Sequence, residues 1–171
     1  LHPSAIRELL KHSKMEGVIS LGGGIPNPQL FDTEGLQFAL DKVMSADIND
    51  AFQYGISEGI PALREAICAI VAGRAIHCSA DSVLITSGSQ QSLDILARAL
   101  INPGDVIVVE RPTYLAALQV FQLAEASLAS VSTDGEGVNV DELEALVQHQ
   151  RIKAVYIVPT FGNPGGVTLS E

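Results

Sequence analysis

A chain of 171 residues with an apolar share of 47% is long enough to bury one full core and too apolar to be disordered. Its 20 acidic against 10 basic residues give a net charge of −10, which excludes the basic stripe of a nucleic-acid binder. Any bound anion must therefore be held by local donors, because the overall field opposes it.

Cys68 and Cys78 are too few for a disulfide framework and point to a reducing compartment. No signal peptide is visible. The longest apolar stretch, Leu115 to Thr133, is interrupted by Gln119, Gln122 and Glu125, so it is not a membrane span. The chain reads as soluble and cytoplasmic, with neither a membrane nor a nucleic acid as partner.

In chain order, Ser4 to Lys14 carries Ile6, Leu9 and Leu10 at helical spacing among charges, which predicts a short amphipathic helix. Val18-Ile-Ser-Leu gives way to Gly22-Gly-Gly-Ile-Pro-Asn-Pro28, a stiff, shaped connector that admits close backbone approach. Thr33 opens a second helix through Leu36, Leu40 and Val43, ending before Asp47. Tyr54 follows in a Gly-rich turn. Pro61 then sits in the first turn of a helix through Leu63, Ile67, Ile70 and Val71 to about Gly73.

From Ser82 the pattern becomes regular. Strands are predicted over Val83–Thr86, Val106–Val109, Ser127–Val131 and Ala154–Val158. Helices are predicted over Gln90–Leu100, Thr113–Ala124 and Asp141–Gln150. This alternation predicts an α/β fold of βαβ units on a mainly parallel sheet, with helices on both faces as a three-layer α/β/α sandwich. Ligands of such sheets lie beyond the carboxyl ends of the strands.

That edge is predicted to carry three groups. Ser87-Gly-Ser-Gln90 starts a helix, where unpartnered N–H groups and short polar side chains suit a phosphate. Glu110-Arg-Pro-Thr-Tyr114 brings an aromatic ring, and Pro159-Thr-Phe-Gly-Asn-Pro-Gly-Gly166 brings an amide. Together they offer an anchor, a stacking face and a hydrogen-bond donor to a planar, phosphorylated ring. The chain has no Gly-x-Gly-x-x-Gly and no Gly-Lys-Ser/Thr, which disfavours a Rossmann dinucleotide site and a P-loop. No metal ligands are assigned.

Gly23-Gly-Ile-Pro-Asn-Pro28, Tyr54-Gly, Gly59-Ile-Pro-Ala-Leu-Arg64, Thr86-Ser-Gly-Ser-Gln-Gln91, Pro112-Thr-Tyr114 and Asn163-Pro-Gly-Gly166 occur in an order that resembles the fold-type I, pyridoxal-phosphate-dependent aminotransferases of class I/II. The opening motif is most similar to the 2-aminoadipate and kynurenine aminotransferase subgroup. One departure is Asn163-Pro-Gly-Gly166 where the family often has Asn-Pro-Thr-Gly; the Asn, the Pro and the final Gly are kept.

The resemblance implies an incomplete large domain like that of aspartate aminotransferase. Residues 1–45 would form the N-terminal arm and a small-domain segment, and residues 46–171 part of the cofactor-binding large domain. It implies that Gly88, Ser89 and Gln90 hold the phosphate of pyridoxal 5′-phosphate and that Tyr114 stacks on its ring. Asn163 would bond the ring's phenolic oxygen. Tyr54 would reach the partner subunit's phosphate across a homodimer, and Gly24 would lie near the substrate carboxylate. The implied reaction exchanges an amino group between an amino acid and a 2-oxo acid.

Transamination needs a Schiff-base lysine. The lysines here are Lys11, Lys14, Lys42 and Lys153, and none stands in the family's lysine context. Family order places that lysine, the acidic partner of the ring nitrogen and the carboxylate-binding arginine after Asn163. The chain begins at Leu1 rather than Met and ends at Glu171, just after Ser170 signals a helix start. It is expected to be an N-terminal fragment, inactive alone, with no catalytic residue of its own and the lysine lying beyond Glu171. The alternatives are an aminotransferase-like effector domain behind a winged helix-turn-helix, and a lyase or decarboxylase on the same fold.

Overall fold

The computed structural model describes residues 15–19, 26–46 and 48–170. The predicted helix over Ser4–Lys14 and the glycine arm with Gly24 lie outside them. The chain divides into two compact units, one spanning Pro26–Ser87 and the other containing everything from Gly88 onward.

The first unit is helical. Asn27 caps a single 3-10 turn at Pro28–Leu30 by accepting the Gln29 N–H at 3.0 Å. Helix α1, Thr33–Ser45, starts where the Asp32 carboxylate accepts the Gly35 N–H at 2.8 Å, and Glu34 and Lys42 complement its two ends. A short α2, Ile48–Phe52, leads to Tyr54. Helix α3, Pro61–Ala72, carries Pro61 in its first turn as the sequence predicts. Gly59 has φ +103°, and a Cβ there would run into the Ile85 side chain, so this turn requires glycine.

Val83–Thr86 is not a strand, contrary to the sequence expectation. A β-strand exists only through its ladder, and here the Val83 N–H bonds back to the Ala80 carbonyl at 3.1 Å and the Ile85 N–H to the Glu58 carbonyl at 3.0 Å, neither of them in a strand. The apolar run is a connector within the first unit, preceded by a 3-10 turn at Ala80–Ser82 that the Arg64 guanidinium holds through the Ala80 carbonyl at 3.0 Å.

The second unit is α/β. Its elements are α4 (Ser89–Leu100), β1 (Val106–Arg111), α5 (Leu115–Leu123), β2 (Ser127–Asp134), β3 (Gly137–Val138), α6 (Val140–His149) and β4 (Ile152–Tyr156). The sheet order is β3-β2-β1-β4, with β1 parallel to both β2 and β4. The two-residue β3 is antiparallel to β2 and was not foreseen from the sequence. It follows from the tight Asp134–Gly137 turn, in which the Asp134 carboxylate accepts the Glu136 N–H at 2.8 Å.

β1 is central and is buried on both faces: Ile107, Val108 and Val109 are 1%, 0% and 4% exposed. This is why its sequence is continuously apolar rather than alternating. Ile107 and Val109 form a core with Ala117 and Phe121 of α5, and Leu93, Tyr114, Leu118 and Tyr156 close around it. Phe121 and Tyr156 meet edge to face at 5.6 Å. Among the described residues, no helix is long and apolar enough to cross a membrane.

Candidate cofactor site at the ends of β1, β4 and α4

Helix α4 starts at Gly88, whose φ of +90° and ψ of 168° only glycine adopts readily. Among the described residues no side-chain hydrogen bond caps this helix start, and its first turn, Ser89-Gln-Gln-Ser92, contains no acid. Among the described residues, a Cβ placed on Gly88 would meet nothing within 4 Å. Ser89 and Gln90 are exposed beside it. A helix N-terminus flanked by neutral donors fits a phosphate. One turn further on, Leu93 packs on the Ile107–Phe121 core.

Tyr114 stands at the N-cap of α5, three residues after β1 ends. It packs on the same core cluster as Leu93 and is half-buried. The core thus carries both the first turns of α4 and the Tyr114 ring. Thr113, the preceding residue, has a buried hydroxyl without a partner among the described residues. Such a group is uncommon in a folded chain and marks a polar position next to the ring. The Arg111–Pro112 bond before it is cis.

Asn163 lies in the loop that follows β4. This loop is pinned on itself: the Gly162 N–H donates to the Val167 carbonyl at 2.8 Å, the Phe161 N–H to the Thr168 hydroxyl at 3.2 Å, and the Leu169 N–H to the Pro159 carbonyl at 2.7 Å. The Gly166 N–H closes on the Gly162 carbonyl, and Asn163–Pro164 is cis. Asn163 is exposed, and its amide makes no hydrogen bond among the described residues.

One contact that sequence reasoning missed joins the two strand ends. The Glu110 carboxylate of β1 accepts the Val158 N–H at 2.9 Å, four residues before Tyr114 on one side and five before Asn163 on the other. A lone acid after four apolar residues reads in sequence as a solvated strand end, and only its offset from Pro112-Thr-Tyr114 hints at more. Burial, then the neighbouring Tyr114 and Glu110, pushes the Tyr156 phenol above its usual range, which keeps it neutral beneath these strand ends.

Tyr54 belongs to the other compact unit, where its side chain is 99% exposed. Gly24 lies outside the described residues. Among the described residues, no group of His, Cys, Asp or Glu is arranged to hold a metal.

Residues 18–171 match the family model of aminotransferase class I and II. The chain belongs to this family. Aromatic-amino-acid aminotransferase 1 of Thermococcus litoralis is 45% identical over 98% of this class I/II chain and 42% of its own length. A crystal structure of Pyrococcus horikoshii kynurenine aminotransferase, in complex with PMP, superposes with a TM-score of 0.90 at 43% identity, covering 100% of this chain and 44% of that one. The alpha-aminoadipate aminotransferase of Thermus thermophilus, complexed with N-(5′-phosphopyridoxyl)-L-leucine, superposes with a TM-score of 0.81 at 32% identity, covering 97% and 40%. An uncharacterized HTH-type transcriptional regulator of Escherichia coli is 30% identical over 96% of this chain and 36% of its own length. This class I/II chain thus spans about two fifths of the curated aminotransferases it matches.

Proposed function

We propose that this chain forms the phosphate- and ring-binding part of a pyridoxal-phosphate-dependent aminotransferase, acting between an amino acid and a 2-oxo acid. The observation that carries the reading is that α4 begins at the left-handed Gly88 with Ser89 and Gln90 exposed in its first turn, and that its Leu93 packs on the same core as Tyr114. Gly88, Ser89 and Gln90 would hold the phosphate, Tyr114 would stack on the ring, and the unbonded Asn163 amide would donate to its phenolic oxygen. The bound cofactor would supply the carbonyl that exchanges the amino group and a ring that withdraws electrons. The donors that meet it here are neutral or aromatic, so they bind and orient it without competing for a proton. Two solved relatives bind PMP or a phosphopyridoxyl amino acid, which supports this choice of cofactor.

The kynurenine and 2-aminoadipate subgroup is favoured by the same relatives. In this reading residues 1–45 are the arm and small-domain segment, and residues 46–171 part of the large domain. Gly24 would approach the substrate carboxylate. Tyr54, with its ring extended into solvent, would meet the phosphate of a second copy in a homodimer. The first unit also exposes Leu36, Phe38 and Phe52, apolar side chains that a second subunit would cover. A well-behaved monomer in light scattering would contradict the dimer.

Of the described lysines, none shares the Asn163 end of the sheet within the second unit. Lys42 is on α1, and Lys153 enters β4 beside Asp105, at the sheet edge opposite Asn163. Lys11 and Lys14 lie outside the described residues. The chain is therefore expected to bind cofactor without transaminating. The test is borohydride reduction of the chain with pyridoxal phosphate, followed by peptide mapping. Scattered, substoichiometric labelling is expected; one stoichiometrically labelled lysine, or measurable transamination, would contradict the assignment. The regulator reading rests on the HTH-type relative and requires the same pocket, so cofactor binding alone does not separate the two; the higher identity to aminotransferases favours the enzyme.

A further inference from the structure

The two cysteines belong to the first compact unit, and the fold brings them face to face. Cys68 is on α3 and Cys78 lies on the segment that returns after it. The return is built by a left-handed closure: Ala75 has φ +59°, its N–H donates to the Ala72 carbonyl at 3.1 Å, and the Ile76 N–H donates to the Val71 carbonyl at 3.2 Å. Alanine takes this conformation only against a steric penalty, which the two closing bonds offset. The chain then runs back along the helix, and the Cys78 Sγ reaches 3.6 Å from the Cys68 Sγ in hydrogen-bonding geometry. Both are free thiols; Cys78 is exposed and Cys68 half-buried. A disulfide between them requires the sulfurs to close by about 1.5 Å, within reach of side-chain rotation.

We propose that Cys68 and Cys78 form a reversible oxidation site, closing to an intramolecular disulfide when the chain meets a low-molecular-weight disulfide such as oxidised glutathione. Exposed Cys78 reacts first. Its thiolate attacks one sulfur of the oxidant, the oxidant's S–S bond breaks, and one glutathione thiolate leaves and takes up the proton that Cys78 lost. Cys68 then gives up its proton and attacks the Cys78 sulfur. The mixed disulfide breaks, and the second glutathione leaves with that proton. Two protein thiols are oxidised to one disulfide, and one oxidised glutathione is reduced to two thiols. The order follows from the surroundings: burial, reinforced by the adjacent Cys78, holds the Cys68 thiol protonated, so it is the poorer first nucleophile and serves to resolve the adduct.

Glutathione buffers of graded ratio test this on the whole chain, with acid quench, alkylation of residual thiols and peptide mass spectrometry, run under native conditions and again in denaturant. The expected product is a chain two hydrogens lighter with a Cys68–Cys78 linked peptide. The pair's effective concentration should exceed its value in denaturant by at least about tenfold, because the α3 return and not mere sequence proximity sets it. Cys68→Ser should stop at a stable glutathione adduct on Cys78. Cys78→Ser should leave Cys68 modified several-fold more slowly. Persistent glutathione adducts on the wild-type chain, cross-linked dimers, no reaction, or equal effective concentrations in the two conditions would each overturn the proposal.

Discussion

The Glu110 carboxylate accepts the Val158 backbone N–H at 2.9 Å, across 48 residues of sequence. It ties the exit of β1 to the exit of β4, and so ties the segment leading to Tyr114 to the loop carrying Asn163. Glu110→Ala leaves a part-buried N–H unpaired and should cost about 1–3 kcal/mol, whereas Glu110→Gln keeps an acceptor oxygen and should cost about 1 kcal/mol or less. Urea midpoints measure both. Equal losses in the two variants would show that the hydrogen bond is not what joins the strand ends.

Gly88 separates backbone strain from crowding. Its φ of +90° excludes an ordinary side chain, yet a Cβ would touch nothing. Gly88→Ala should therefore destabilise by about 1–3 kcal/mol through conformation alone, and should weaken phosphate binding by displacing the first turn of α4. Denaturant unfolding and phosphate titration read the two effects. A variant with unchanged stability would mean that the helix start tolerates another geometry.

Glu142 is an acid-sensitive point of the second unit. The Ser132 N–H and hydroxyl both donate to it at 2.7 Å, and Arg111 stands 3.9 Å away. The Ser132 backbone bond, then its hydroxyl, then Arg111 hold its pKa below the 4.5 of a free glutamate. A carboxylate with a depressed folded value stabilises above its unfolded pKa, and that stability is lost as pH falls through the folded one. Wild-type unfolding midpoints should therefore decline between about pH 5 and pH 3, and Glu142→Gln should flatten part of that decline. Identical pH profiles would contradict the assignment.

Much of the second unit was legible in the sequence because local signals and burial agree there. The apolar run at Val106–Val109 became the core strand, and the Asn102-Pro-Gly-Asp105 turn is held by the Asp105 carboxylate on the Asn102 N–H at 2.8 Å. Helix α5 starts at Leu115 rather than Thr113, because Tyr114 is extended at the N-cap, with φ −65° and ψ 116°. Val83–Thr86 misled because an apolar run specifies burial and not its partner: the run bonds to Glu58 instead of entering the sheet. Tyr114 and Asn163 stand out in the sequence through flanking prolines and glycines, which leave a local trace. Glu110 does not, since a contact across 48 residues leaves none.

The central claim is that Tyr114 and Asn163 present a ring-binding face beside the Gly88 phosphate turn. The most direct measurement is isothermal titration with pyridoxamine phosphate, the amine form, which cannot condense with surface lysines as the aldehyde does. Saturable one-site binding is expected, competed by inorganic phosphate, with Tyr114→Ala and Asn163→Ala each weakening it about tenfold, the loss of one stacking or hydrogen-bonding contact. Binding that is unchanged in both variants, or insensitive to phosphate, would contradict the account.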